Sequence, residues 1–341
     1  MKHIVTIGAG LAGIEASAIL ANLGYHVTLL EKEKVIGGKM HDYAYLFPDF
    51  RKASDINDYL NEQLKSEKIT LIKDVNIKDV RFSDGKTFIT TTKNIHLDAD
   101  AVIIASGYKA FEAERKEEYG YRIYDNVITS VDLEKMLRQG NKITLKNGNI
   151  PKKIAFIHCV GSRDEKSGNH YCSKVCCITG VKQAIELHKQ IPDAEIFCFY
   201  MDLRMFGQHF EELYREAQEK HTIQFIRGRL SEASENMDES LQIKAEDTLS
   251  GRPVKMKVDM MVLLVGMEAG EDTPVLSNKF KVKTGENRFF EPSDLHLRSN
   301  LSSRKGVFLT GSCICPMSVN DSIENARSAA LEVHHYLQNL A

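Results

Sequence analysis

Hydrophobic spacing changes character several times along this chain, and each change marks an element. A β-branched run, Ile4 to Ile7, leads through Gly8-Ala9-Gly10-Leu11-Ala12-Gly13 into an Ala/Ile/Leu-rich helical stretch, Ile14 to Leu23. His26 to Leu30 is again strand-like and ends in Glu31; Leu71 to Val80 and Phe88 to Thr92 alternate as strands do. Ala101 to Ile104 is apolar at every position, the pattern of a strand covered on both faces, and Ala105-Ser106-Gly107 closes it with small residues. The middle of the chain alternates strand and helix: Ile154 to His158, Gln183 to Gln190, Glu195 to Tyr200, Phe210 to Lys220, Gln224 to Arg227. Ser240 to Asp247 and Pro253 to Asp259 suggest a hairpin around Ser250-Gly251, and Val262 to Gly266 is a closing strand. Gly306 to Gly311 is a last strand ending in glycine, and Asp321 to Leu340 a last helix. Repeated strand–helix alternation predicts an α/β architecture.

Strand, glycine turn, helix, strand and acid in that order form a dinucleotide-binding unit rather than a lone glycine motif. Gly8 permits the tight turn, Gly10 keeps its surface clear for a pyrophosphate, and Gly13 lets helix and strand pack closely. The amides at the helix start, from Leu11 and Ala12 on, favour phosphate oxygens. Glu31 stands 18 residues beyond Gly13, where a carboxylate accepts ribose hydroxyls. The bland alternative is a glycine turn with no ligand. Gly37-Gly38, six residues past the acid and followed by Lys39 and Met40, resembles the extension of FAD-binding proteins that passes under the flavin end. Ala105-Ser106-Gly107 resembles the Ala-Thr-Gly motif of two-dinucleotide-fold flavoproteins. Gly311-Ser312 resembles their last FAD motif, with serine where an aspartate is usual. The helix start at Asp321, Ser322 and Ile323 is placed to face the flavin pyrimidine. Lys32 and Val75 complete the expected FAD contacts. Motifs at both ends of the chain imply a discontinuous FAD domain, 1–116 and 271–341, around an inserted second α/β domain, 117–270. The expected fold is thus a thioredoxin/glutathione-reductase-like flavoprotein.

Composition narrows the functions. The 341 residues carry 45 Lys+Arg against 47 Asp+Glu, a net charge of −2, which argues against nucleic acid as an obligatory partner. The longest apolar run, Met260 to Met267, is far short of the roughly 18 residues of a membrane span. Met1-Lys2-His3-Ile4-Val5 runs straight into a strand without a signal-peptide layout, so a cytoplasmic protein is expected.

Seven cysteines are the sharpest feature. Four fall between positions 159 and 177 in the pattern Cys159-x12-Cys172-x3-Cys176-Cys177, closing a strand and opening the next helix. Cys172 and Cys176, four apart, would share a helical face. Thiolates near a helix start suit an anionic cluster, and four cysteines are the usual ligands of [4Fe–4S]. Structural zinc prefers paired C-x2-C knuckles, which are absent; buried thiols without a ligand are the bland reading. His158 and His170 read as neighbours of the cluster cysteines. Cys198 reads as core, and Cys313 and Cys315 as small residues lining the flavin cavity. Lys182, five residues after Cys177, is placed to hydrogen-bond flavin N5 if the cluster faces the flavin, or is a plain helix lysine.

The segments Cys159-Val160-Gly161-Ser162-Arg163-Asp164, Tyr171-Cys172-Ser173-Lys174-Val175-Cys176-Cys177 and Phe199-Tyr200-Met201-Asp202-Leu203-Arg204 resemble the A subunits of heterodisulfide reductases. Phe225-Ile226-Arg227-Gly228-Arg229 and the Asp247 to Gly251 turn do so too. The resemblance implies FAD, a [4Fe–4S] cluster on Cys159, Cys172, Cys176 and Cys177, Lys182 beside the flavin, a homodimer, and heterodisulfide reductase B-like and C-like partner subunits. Without the C-x2-C-x2-C runs of methanogen-type members, the chain looks like the short form of sulfur oxidisers. Arg163, Lys174 and Arg204 are candidate partner contacts. The competing functions are an NAD(P)H-dependent disulfide reductase, for which a second glycine motif and an active cysteine pair are missing, and a non-enzymatic FAD-bearing scaffold.

Overall fold

A computed structural model describes residues 2–340 and divides them into two compact units. The first takes in the chain up to His41, Ser54–Lys109 and everything from Glu268 onward; the second comprises Asp42–Ala53 and Ala110–Met267.

The first unit is built on a seven-stranded sheet in the order Pro292–Asp294, Arg298–Ser302, Val307–Leu309, Ala101–Ile104, His3–Ile7, His26–Leu30, Ile69–Ile72. The last five run parallel. Alternation sorts their side chains: Val5, Ile7, Val102 and Ile104 enter one core, Ile4, Ala101 and Ile103 the other. The helices Leu11–Asn22 and Val319–Gln338 cover the second face with Ala12, Ala16, Leu20, Ala326 and Ala330. Small alanines let these helices approach closely. A separate antiparallel sheet holds Ile77–Ser83, Lys86–Thr91 and His96–Ala99.

The second unit carries an all-parallel sheet in the order Gln224–Arg227, Glu195–Tyr200, Lys153–Val160, Met260–Val265, Val127–Thr129. Its central strands are covered on both faces, which explains the apolar run at Met260: Met260, Val262 and Leu264 enter one core, Met261 and Leu263 the other. The helices Ser130–Arg138, Cys176–Gln190 and Phe210–Glu219 lie on the first face. On the other lies the antiparallel sheet Leu230–Glu235, Leu241–Asp247, Arg252–Val258, which contains the expected hairpin with Asp247 opposite Arg252.

Four local expectations are corrected. The first helix begins at Leu11, not Ile14. The expected strand Leu71 to Val80 is two strands, interrupted where Asp74 takes a left-handed φ of 56°. The expected helix at Gln183 begins at Cys176, while Cys172 lies before it, so Cys172 and Cys176 do not share a helical face. Asp42–Ala53 belongs to the second unit, because Ala44, Phe47 and Phe50 pack against its core. Three helices escaped the pattern: Ala53–Gln63, Ser130–Arg138 and Thr273–Phe280. The second of these had a readable signal, since Thr129 and Asp132 form a capping box. Among the described residues no helix is long and apolar enough to cross a membrane.

Candidate functional site

The glycine turn has the geometry its spacing demands. A Cβ on Gly13 would lie 1.9 Å from Gly8 O, and one on Gly8 would lie 2.4 Å from Ala105 O, so neither position admits a side chain. Gly10 meets nothing nearer than Gly38 Cα at 4.0 Å, which leaves its face open. Gly37 donates to Ala9 O at 2.7 Å and pairs with Gly10 as an isolated bridge, so the Gly37-Gly38 extension lies along the turn. The short turn Gly38–Asp42 follows, with Lys39 on it and Met40 buried.

Glu31 is buried and oriented: Oε2 accepts from Ala9 N at 2.7 Å and Oε1 from Glu33 N at 2.9 Å. Val75 N donates to Glu31 O at 3.0 Å, which ties the next strand to the acid. Ser106 Oγ is buried with no hydrogen-bond partner, an orphan hydroxyl beside the same turn. Lys32 is ion-paired with Asp272. Gly311 packs on the helix start, its missing Cβ 2.6 Å from Ala12 Cβ, and Ser312 follows it. Asn325, which pattern reading missed, holds this motif: its Oδ1 accepts from Gly311 N at 2.9 Å and Thr310 Oγ1 at 3.1 Å. The last helix starts at Val319, before the expected Asp321. Ser318 caps it, and the Asp321 carboxylate accepts from Ser318 N and Oγ at 2.9 and 2.7 Å. Asp321 therefore fixes the helix start, with Ser322 and Ile323 in its first turn. An open glycine face, an oriented buried carboxylate and an orphan hydroxyl on one turn fit FAD.

Glu31→Ala is expected to weaken FAD binding by roughly 1.5–3 kcal/mol, because it deletes a charged acceptor and frees two backbone donors. Equilibrium dialysis of FAD checks this; unchanged affinity would place the ribose elsewhere.

The cysteines converge in part. Strand alternation would turn Cys159 away from the helix Cys176–Gln190. The pairing of the strand is irregular between Ile157 and Val160, however, and Cys159 takes a left-handed φ of 60°. Its thiol is thereby hydrogen-bonded with Cys176, and Cys176 with Cys177. Three of the four expected ligands thus share one buried spot. Cys172 stands in the loop before the helix, its sulfur accepting from Lys174 N at 3.3 Å. Among the described residues no group of three or more His, Cys, Asp or Glu side chains is arranged to hold a metal ion.

The charge pattern suits anionic sulfur. The Cys176 hydrogen bond, and then the neighbouring His158 ring, push the Cys177 thiol down to about 4, and the Cys176 bond pulls Cys159 to about 7. Cys176 is held well above its ordinary value by donating to both. Arg163 lies against Cys159 and pairs with Asp202 at 2.7 Å, so it is a member of the nest before it is a partner contact. Three clustered thiols fit the donor chemistry of an iron–sulfur cluster. Cys198 is fully buried and its thiol is raised by burial, as expected of core. Cys313 is also buried, donating to Ile104 O and Thr310 O, and burial lifts it to about 12. It belongs to the core of the first unit.

Lys182 is buried. Its Nζ donates to both Glu134 oxygens at 2.7 and 2.8 Å and to Tyr45 O at 2.8 Å, and lies 3.3 Å from Glu186. Gln183 Nε2 and Ala44 N also donate to Glu134, at 2.7 and 2.9 Å. Pattern reading found the lysine and missed both of its carboxylates.

Residues 1–134 match the family model for pyridine nucleotide-disulphide oxidoreductases. Thioredoxin reductase of Lactococcus lactis shares the fold at a TM-score of 0.68 and 16% identity, over 99% of this chain and 100% of that one. The T. acidophilum thioredoxin reductase gives 0.67 and 16%, over 100% of both chains. Fold and site together define an oxidoreductase of the two-dinucleotide-binding flavoprotein class. The A subunit of the H(2)/formate:CoB-CoM heterodisulfide,ferredoxin reductase of Methanococcus maripaludis is 29% identical over 97% of this chain and 64% of its own length. The A-type iron-sulfur subunit of the CoB--CoM heterodisulfide reductase of Methanocaldococcus jannaschii matches with the same identity and shares. The A subunit of the H(2):CoB-CoM heterodisulfide,ferredoxin reductase of Methanothermobacter marburgensis is 39% identical over 70% of this chain and 37% of its own. The chain is a homologue of the heterodisulfide reductase A subunits, and spans somewhat under two thirds of the length of the first two.

Proposed function

We propose that the chain is the electron-transfer subunit of a cytoplasmic heterodisulfide reductase-like complex, serving disulfide metabolism or sulfur oxidation. The observation that carries this reading is the convergence of Cys159, at the end of a parallel strand, with Cys176 and Cys177 at the start of the helix that follows. In a nucleotide-binding unit a glycine turn would stand there. When bound, FAD would supply two-electron chemistry and a [4Fe–4S] cluster single-electron steps. The protein's part is to hold these groups and shield them. Gly10 leaves room for phosphate, Glu31 orients ribose, and Arg163 offsets negative sulfur. Cys172, on its loop, is the fourth ligand in this reading; Lys182 is no flavin donor, because its three N–H groups are taken by Glu134 and Tyr45 O. The name of the Methanocaldococcus jannaschii relative, an iron-sulfur protein, supports the cluster. A homodimer joined by B-like and C-like subunits would supply the half-reaction for which this chain offers no substrate thiol pair.

Anaerobically purified protein is expected to hold one FAD and about four iron and four sulfide per chain. Iron at background level would overturn the cluster. NADH and NADPH are expected to bleach the flavin slowly or not at all in a stopped-flow mixing experiment. Stoichiometric bleaching within the mixing time would instead mark a self-contained nucleotide-dependent disulfide reductase. Affinity capture from the native host tests the assembly, with B-like and C-like subunits expected and a lone active chain contradicting it.

A further inference from the structure

Beside the three converging thiols lies a buried imidazole to which the proposed chemistry gives no part. His158 is the third-last residue of the strand Lys153–Val160 and shares a face with Ile154 and Phe156, the face covered by the helix Cys176–Gln190. It is 7% exposed, and neither ring nitrogen has a hydrogen-bond partner of ordinary geometry among the described residues. A buried imidazole must donate from at least one nitrogen, and a donor left unmade is costly. Two features say where it is aimed. The ring lies against the Cys177 sulfur. On the other side it is pressed on the helix at Gly180, whose missing Cβ would stand 3.0 Å from His158 Cε1. A Cβ at 180 would press first on Leu264, 2.5 Å away, and then on the ring, so the helix packs closely on both.

We infer that His158 is a positioning residue that donates an N–H hydrogen bond to the sulfur of Cys177 and thereby sets the reduction potential of the centre these thiolates hold. The inference rests on the cluster reading above. A hydrogen bond to cysteinate sulfur withdraws charge from it, which stabilises the reduced, more negative state and raises the potential. The proton stays on the imidazole in both oxidation states. Of the other polar groups at Cys177, the Asp202 carbonyl is an acceptor, 3.6 Å from the sulfur, and cannot play this part. The Arg204 backbone N–H also donates there, but it is the same in every variant at 158.

The test uses the whole chain with its cluster, comparing wild type with His158→Phe and His158→Gln. Iron content is measured first, then the midpoint potential by redox titration followed by electron paramagnetic resonance. The expected result is full iron in all three, a more negative midpoint for the Phe variant, and a midpoint near wild type for Gln, which keeps an N–H donor. A Phe variant with full iron and an unchanged midpoint overturns the inference, as does iron lost from both variants, which would make His158 a ligand or a packing residue. Pulsed resonance on wild-type protein labelled with 15N-histidine needs no variant: one imidazole coupling to the reduced centre is expected, and its absence overturns the inference. Wild type without iron overturns the cluster reading itself, which separates the two failures.

Discussion

Cys176→Ala is expected to purify with little or no iron, whereas Cys198→Ala keeps about the wild-type amount. Both thiols sit in the same core of the second unit and both are buried, so burial does not distinguish them. Their neighbours do. Cys176 is hydrogen-bonded to Cys159 on one side and Cys177 on the other, and removing it breaks the set in the middle. Cys198 has its thiol raised by desolvation, the state of a packing residue rather than a ligand. Its replacement leaves a small cavity costing about 1 kcal/mol, too little to unfold the domain. Iron and acid-labile sulfide assays on the two variants, with circular dichroism to confirm folding, decide the matter. Equal iron in both would refute the ligand assignment.

Lys182→Met is expected to destabilise the second unit by about 3–5 kcal/mol, since it strands the buried Glu134 carboxylate, with the Glu186 carboxyl beside it, without its cation. Glu134 would retain its donors from Gln183 and Ala44, but Glu186 has no other hydrogen-bond donor among the described residues. Denaturant titration measures the loss, and Glu134→Gln in the Met background should restore part of it. If Lys182→Met unfolds at the wild-type midpoint, the cluster of charges is not structural. The same network makes stability depend on pH. Burial, reinforced by the charge of Glu134 and opposed by Lys182, pushes the Glu186 carboxyl up to about 7 from 4.5. The folded form therefore keeps a proton that the unfolded chain releases. This contribution is full below about pH 4.5 and is lost as the pH rises through 7, a change of roughly 3 kcal/mol at about 1.4 kcal/mol per unit. Lys189, on the same helix, opposes the shift and faces the group with the others. Glu186→Gln should flatten the stability profile between those limits, and an unchanged slope would locate the proton elsewhere.

The dinucleotide turn was legible because its constraints are local. Gly13 faces Gly8 O within the same turn, so spacing alone states what a side chain there would strike, whereas Gly8 faces Ala105 O, which only the pairing of the strands brings beside it. Glu31 was legible for the same reason: strand and helix lengths set its distance from the turn. Asn325 was not, since an asparagine in a helix has no pattern, and its role comes from Gly311 arriving beside it. Glu134 and Glu186 were missed alike. A charged residue on a helix is normally solvated, and only the packing of three elements around Lys182 makes these two buried partners.

The sequence by itself determined the strand–turn–helix–strand order of the first unit, the parallel core strands of both units, and the set of cysteines able to serve as ligands. These follow from periodicity, from small residues at forced contacts, and from thiol chemistry, all of which act over short stretches of chain. The tertiary structure alone decided which thiols meet. Alternation would have turned Cys159 from the helix, and helical spacing would have paired Cys172 with Cys176. A strand irregularity and a left-handed residue at 159 reverse the first, and a helix that begins only at Cys176 removes the second. The physical reason is that a local pattern specifies which face a side chain takes only while the element stays regular. The cysteine nest is built where strand and helix both break off, so its geometry is set by long-range packing of the sheet, the helix and the loop at Asp202.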